Sequence, residues 1–414
     1  MVRITMAIIL GALMLPVGLA VARPGPPGDS GTKYDEVGDA IGSNNSAAFL
    51  FLKIISSPRA NSMGGSSINL VDEHAALYNP GAIGLFHLDK VLSVTIPSKT
   101  DWLPTLAFNL KLETFGASGG ISLATLGHKE NRPFNLSLGI AYHRHRLDYG
   151  GFAQIDTISS EIIDYFNVYD EASYYSVGLG FQYGKFWRIG AGYSYKKIES
   201  HLGPSSDPTY HAEASAYDLG FITEFALAAL VPHEISLKNS SKYKMNFQIT
   251  PSAAFVMANR GDDARYGLDD STTPDPLPKT DKTGLGLFLA ANVNDAALFS
   301  CRLLTETEKD VYDNNHPTHR SGCEFALFES FFYRLGKFNN RLIDDCDVHT
   351  WGAGFSLGGV ISWLDNLGYL NIDNGLTGRL IRSLDIRIDY AKYEPGLTTM
   401  PIWRTTFFKA SLSL

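Results

Sequence analysis

Two Gly-x-Ser-x-Gly stretches, Gly116-Ala-Ser118-Gly-Gly120 and Gly354-Phe-Ser356-Leu-Gly358, come nearest to covalent chemistry in this sequence. The motif works on a strained strand-to-helix turn that lifts the hydroxyl clear of its sheet. Both stretches lie in strand-like surroundings, and with 39 glycines chance matches are expected. A lipid hydrolase using Ser118 or Ser356 is therefore the weakest functional reading, and no catalytic residue is assigned. His143 and His145 share one strand face, as metal ligands or a general base would, but no third ligand accompanies them. They read as polar lumen residues, and His316 and His319 as members of an outer loop. Asp262, Asp263, Asp269, Asp270, Asp275 and Asp281 make residues 259–281 acidic. Calcium or divalent-bridged lipopolysaccharide would suit such a loop, but the spacing is no EF-hand, and a solvated loop is the plainer reading. Arg260-Gly261-Asp262 matches an adhesion tripeptide by coincidence. No metal or cofactor is assigned.

Asp385, Arg387 and Asp389 alternate with Leu384, Ile386, Ile388 and Tyr390. That spacing places the three charges on one face of a strand. Similar strands recur. Phe134, Leu136, Leu138, Ile140 and Tyr142 oppose Asn135, Ser137, Gly139, Ala141 and His143. Tyr175, Val177, Leu179, Phe181 and Tyr183 oppose Ser176, Gly178, Gly180, Gln182 and Gly184. Trp187, Ile189, Ala191, Tyr193 and Tyr195 oppose Arg188, Gly190, Gly192, Ser194 and Lys196. One face is greasy with aromatic ends, and the other is small or polar. Nine such residues, tilted about 40°, cover on the order of 20 Å, close to the apolar band of an outer membrane. Charges on a lipid face cost about 2–4 kcal/mol near the midplane, so Asp385, Arg387 and Asp389 are expected in the lumen. There they would form an ion-pair ladder or contact a hatch or cargo.

Both ends of the chain agree. Arg3, the apolar run Ile4 to Leu19 and Ala20-Val21-Ala22 read as a cleaved signal peptide. Arg404 to Leu414 alternates to the last residue, with Phe408, Leu412 and Leu414 expected toward lipid. A closing strand of this kind pairs with the first, near Val91 to Ile96. No later run is long and apolar enough for a membrane helix. With 24 Phe, 20 Tyr and 5 Trp in 414 residues, a mean hydropathy of −0.05 fits alternating lipid and lumen faces. A net charge of −8 argues against nucleic acid as a partner. Three cysteines permit one disulfide, with Cys301 and Cys323 flanking one loop and Cys346 left over.

The fold expected is all-β: a transmembrane antiparallel β-barrel of about fourteen strands with a short N-terminal helical hatch. Strands are expected near 91–97, 134–147, 173–184, 186–198, 214–227, 244–258, 282–292, 296–305, 321–334, 336–345, 348–357, 383–393 and 404–414. Leu103 to Leu126 is counted as one strand, bent at Gly116, Gly119 and Gly120. An even count puts 148–172, 199–213, 259–281 and 306–320 together as outer loops, with inner turns at Gly184-Lys185 and Gly336-Lys337. Ahead of the barrel (89–414), residues 1–22 form the signal peptide, 23–48 a flexible lead-in and 49–88 a hatch segment. Within the hatch, Met63-Gly64-Gly65 marks a tight turn, and a short helix from Asp72 to Tyr78 is stopped at Asn79-Pro80.

The run from Phe51 to Phe86 resembles the N-terminal signature of the PorV/PorQ family, relatives of the FadL hydrocarbon transporters. That pattern reads Phe-Leu-Lys, Arg-Ala-x-x-Met-Gly-Gly, an acidic Ala-rich stretch, then Asn-Pro-Ala. Ala216 to Gly220, Leu384 to Ala391 and Thr405 to Leu414 are looser echoes. Gly81 stands where Ala is usual, Tyr78 meets Asn79 without the usual extra residue, and Leu414 replaces a terminal aromatic. The resemblance implies a fourteen-stranded outer-membrane barrel, not an enzyme. It also implies a type IX secretion accessory that engages the C-terminal domains of secreted cargo and other components of that system. The alternative it carries is a FadL-like transporter of hydrophobic small molecules. Outer-membrane lipid and lipopolysaccharide would surround it.

Overall fold

The computed structural model describes residues 47–102, 110–123, 133–156, 159–204, 206–227, 235–236, 244–267, 274–293, 296–312, 317–340, 346–370, 378, 381, 383–395 and 405–414. All fall in one unit, Val37–Leu414. The expected signal peptide and most of the lead-in lie outside the described residues.

Antiparallel pairing links fourteen strands in chain order. They are β1 (Leu92–Asp101), β2 (Lys111–Ser122), β3 (Phe134–Ile155), β4 (Ile162–Tyr183), β5 (Trp187–His201), β6 (His211–Phe225), β7 (Lys244–Gly261), β8 (Thr280–Val293), β9 (Ala296–Asp310), β10 (Thr318–Leu327), β11 (Phe331–Asn340), β12 (Cys346–Ser356), β13 (Asp385–Pro395) and β14 (Thr406–Ser413). Two-residue strands at Ile235–Ser236 and Arg265–Tyr266 lie beside β7 and β6. The ring closes where β14 meets β1, with Ser93 opposite Ser413 and Val94 opposite Leu412. Closure gives every wall strand a partner on both sides, which a strand in lipid requires because no water is there to bond its backbone. Outward side chains are apolar and exposed, Ile140 at 62%, Leu179 at 61% and Phe408 at 57% among them. No helix among the described residues is long and apolar enough to cross a membrane.

Four expectations about the strands need correction. Gly336-Lys337 is not a turn: Phe328 to Ser330 is, and β11 runs through Gly336. Phe328 and Glu329 both adopt left-handed backbone. They are held there by Phe328 packing on Trp363, ring centroids 4.3 Å apart, and by the Glu329 backbone lying against Gly359. Second, β2 begins at Lys111 and is unbroken through Gly116, Gly119 and Gly120. Third, residues 148–172 are mostly strand, because β3 and β4 continue as a ladder to Ile155 and Ile162 past a bulge at Asp148/Gly150. Fourth, Cys301 and Cys323 are free thiols. Cys301 faces Phe325 and Cys323 faces Leu303, so the register sets them diagonally. The side chain of Cys346 lies outside the described ones.

The connections 156–161, 202–210, 262–279 and 311–317 share one end of the barrel, called outer here; the turns 184–186 and 328–330 share the inner end. A helix α4 (Leu357–Asn366) follows β12 at the inner end.

Candidate functional site

Residues 49–89 pass through the barrel interior. A 3-10 turn (Leu50–Lys53) leads to α1 (Pro58–Ser62), α2 (Ala75–Tyr78) and α3 (Gly81–Asp89). Pro58 starts α1 at a position needing no N–H, and Ser57 caps it through Ala60 N. Met63, Gly64, Gly65, Asp72, Asn79 and Pro80 are all buried in this segment.

At the outer end the lumen holds an apolar cluster beside buried ion pairs, Lys53 with Glu308 and Lys196 with Asp218. Phe49, Phe51 and Ile54 fill a shell whose wall includes Leu112, Leu147, Ile198, Phe338, Val348 and Phe407. Below it, Gly64 and Gly65 turn in left-handed backbone, and Gly64 N donates to Thr350 Oγ1 at 2.9 Å. Gly322 and Gly336 belong to the wall because Met63 and Gly64 press against their backbones, leaving no room for a Cβ.

One side of the lumen is charged. Arg59 donates to both oxygens of Glu324, at 2.9 and 2.6 Å. Arg334, fully buried, donates to Glu324 Oε2 at 2.6 Å and to Asp389 Oδ1 at 2.7 Å. Arg387 Nε donates to Asp389 Oδ2 at 2.9 Å. Lys53 lies 3.1 Å from Glu308, and Ser67 N donates to Glu306 Oε2 at 2.7 Å. Cations of the hatch thus meet carboxylates of β9 and β10, a pairing that buried charges need.

The opposite side holds the buried Lys196–Asp218 pair at 2.8 Å and, toward the inner end, a seat of glycines. Helix α3 lies on Gly139, Gly178, Gly180, Gly190, Gly192 and Gly220, with its own Gly81 and Gly84 toward the wall, so that backbone touches backbone. Asn79 sets the entry: its Nδ2 donates to Ile68 O at 2.7 Å, and its Oδ1 accepts from Gly81 N at 3.0 Å. Pro80 does not merely stop α2, since it leads straight into α3. An apolar groove of about 550 Å³ lies in the wall over β2–β5, lined in part by Ile121, Leu136, Leu138, Leu179 and Phe181, with Gly180 beside it.

Arg387 and Asp389 join the charged network, whereas Asp385 accepts from Ser356 Oγ at 2.7 Å and Gly358 N at 3.0 Å. Ser356 stands at a strand-to-helix junction, but its backbone is extended and its Oγ also accepts from Gly359 N, so it is the cap of α4. Ser118 lies mid-strand opposite Ala141. His143 fills the space beside Gly116 and contacts Glu73 O at 3.1 Å, and His145 lies beside Phe51. His319 contacts Thr307 at 3.1 Å; His316, Asp269 and Asp270 lie outside the described residues. Asp263 pairs with Lys279 and Asp281 with Arg260.

Asp72, Glu73 and His74 bring ligand-type atoms within 4.8 Å of one another. The Asp72 carboxylate already faces Arg59 and accepts from Tyr78. Burial, with Lys409 facing it, pushes the hatch imidazole of His74 down to about 3. The group serves as internal polar packing. Sequence reasoning missed Arg59, Glu324 and Arg334 as a unit. Glu324 and Arg334 were signalled by their isolation among apolar or small neighbours on strands, and Arg59 by its place in the Arg-Ala-x-x-Met-Gly-Gly stretch.

No family model and no curated protein sequence matches the chain. Among solved structures, it is similar to the Ralstonia pickettii toluene transporter TbuX at 11% identity, covering 86% of this chain and 96% of that one, with a TM-score of 0.37. The Pseudomonas putida toluene transporter TodX gives 11% identity, 86% and 95% coverage and a TM-score of 0.34. The beta domain of the Bordetella autotransporter BrkA gives 6%, 78% and 97%, and 0.34. These scores are low, so the barrel rests on its own strand ladder.

Proposed function

We propose that this chain is a non-enzymatic outer-membrane barrel that conducts hydrophobic small molecules, with residues 49–89 as the gate. The observation that carries this reading is the apolar cluster in the outer lumen, which the hatch's own Phe49 and Phe51 occupy. A chamber built from Leu, Ile, Val and Phe walls favours an apolar guest, and each buried aromatic ring contributes about 1.5–3 kcal/mol that such a guest would replace. The groove over β2–β5 offers the same chemistry on the lipid side, separated from the lumen by wall backbone and α3. The glycine seat of α3, which meets the helix through backbone rather than charge, is the path such a molecule would follow if α3 moves.

Purified protein should bind a fluorescent fatty acyl probe. Phe338→Asp, which puts a carboxylate in the chamber wall, should weaken that binding severalfold. Equal binding by both proteins would remove the chamber from the account.

The secretion reading is favoured by a different feature, the β3–β4 hairpin that stands beyond the neighbouring strands. A type IX accessory that engages cargo C-terminal domains would need an outer surface of that kind. Cargo retention in a deletion strain, with hydrophobe uptake unchanged, would favour it over conduction.

A further inference from the structure

Strand β4 begins at Ile162, yet its pairing with β5 begins only at Tyr169, opposite His201. On its other side it pairs with β3 out to Ile155. Residues Ile162–Val168 therefore form an edge that no strand covers among the described residues. Seven residues reach roughly 20 Å along the strand. Ile163 is 61% exposed and Tyr165 73%.

Edges of this length are normally blunted by Lys, Pro or a bulge that turns the strand away. This one holds Ile, Ile, Asp, Tyr, Phe, Asn and Val, with one bulge at Ile163, between Asp164 opposite Gln154 and Ile162 opposite Ile155, and a regular run from Asp164 to Val168. Charge narrows the occupant. No Lys or Arg occurs from Leu147 to Asp170, and Glu161 and Asp164 are exposed. An anionic lipid or lipopolysaccharide phosphate would be repelled, and so would a second copy of the same acidic edge.

We infer that Ile162–Val168 is a docking edge for an extended basic segment of a partner protein, which adds to β4 as a further strand. Backbone hydrogen bonds supply the pairing, and alternate side chains supply selectivity. Lys or Arg of the partner would face Glu161 and Asp164 and speed encounter. The site lies apart from the lumen, so its failure leaves conduction standing.

The test uses the full-length protein in lipid nanodiscs and labelled synthetic peptides read by fluorescence anisotropy. A peptide alternating Lys and Val should bind. Its Glu–Val counterpart, and a Lys–Val peptide methylated on alternate backbone nitrogens, should not. Ile163→Lys with Tyr165→Lys, both at exposed positions, should weaken binding by about tenfold while leaving uptake of a hydrophobic dye unchanged. Equal binding of the acidic peptide, or binding unaffected by the two substitutions, would overturn the proposal. So would a concentration-dependent dimer that the same substitutions abolish, since the edge would then serve self-association.

Discussion

Arg59 is the side chain on which the charged half of the hatch depends. Its guanidinium fork matches the Glu324 carboxylate with two bonds, and Glu324 is shared with Arg334. Removing one partner of such a buried pair leaves a charge unpaired and costs about 3–5 kcal/mol, whereas removing both is far milder. Arg59→Met should therefore make the 49–89 segment sensitive to added protease. Arg59→Met with Glu324→Gln should recover part of the resistance. Additive losses in this double-mutant cycle would show that the two residues act apart. The alternation of Asp385, Arg387 and Asp389 was legible as a lumenal face. Their division into a network pair and a helix cap was not, because strand period sets a face and says nothing of depth.

Helix α3 is held in a different way. Among the described residues its one ion pair to the wall is the exposed Asp89–Arg188 contact at 3.2 Å. Ser137 Oγ donates to Gly84 O at 2.6 Å and Arg188 to Leu85 O at 3.0 Å, and much of the helix rests on glycines of β3–β6. Gly190→Val should push α3 off its seat, because the new side chain would enter the Gly81 carbonyl. The barrel ladder should survive, since Val suits a strand. The expected outcome is unchanged heat-modifiable gel mobility with raised permeability to a hydrophobic dye. Loss of the folded band would mean that α3 and the wall form one unit. Glycine is also where sequence reading misled. Gly336 looks like a turn residue from its neighbours, but its small size answers to Met63 and Gly64, which lie 272 or more positions away in sequence. Residues 148–172, expected as a loop, instead carry a bulge at Asp148/Gly150 within a long hairpin.

Across the whole molecule, strand count, parity and closure were legible because lipid imposes them: apolar faces must alternate, and no edge can stay open in the wall. What fills the lumen was legible only in outline, since contacts between the hatch and strands hundreds of residues later leave no local pattern. Closure itself is testable. Deleting Ser411 to Leu414 removes the partners of Ser93 to Thr95 and the Ser411 bond to Glu73. The truncated chain should fail to accumulate in the outer membrane, and normal levels would contradict a closed ring. The central claim, that an apolar cluster in the outer lumen, gated by the hatch, conducts hydrophobic molecules, is tested most directly by flux. Proteoliposomes carrying the parent protein or Phe49→Ser with Phe51→Ser would be supplied with one hydrophobic and one hydrophilic dye. The account predicts faster entry of the hydrophobic dye through the variant, with the hydrophilic dye still excluded by the remaining hatch. Equal entry of both dyes, or no change in either, would contradict it.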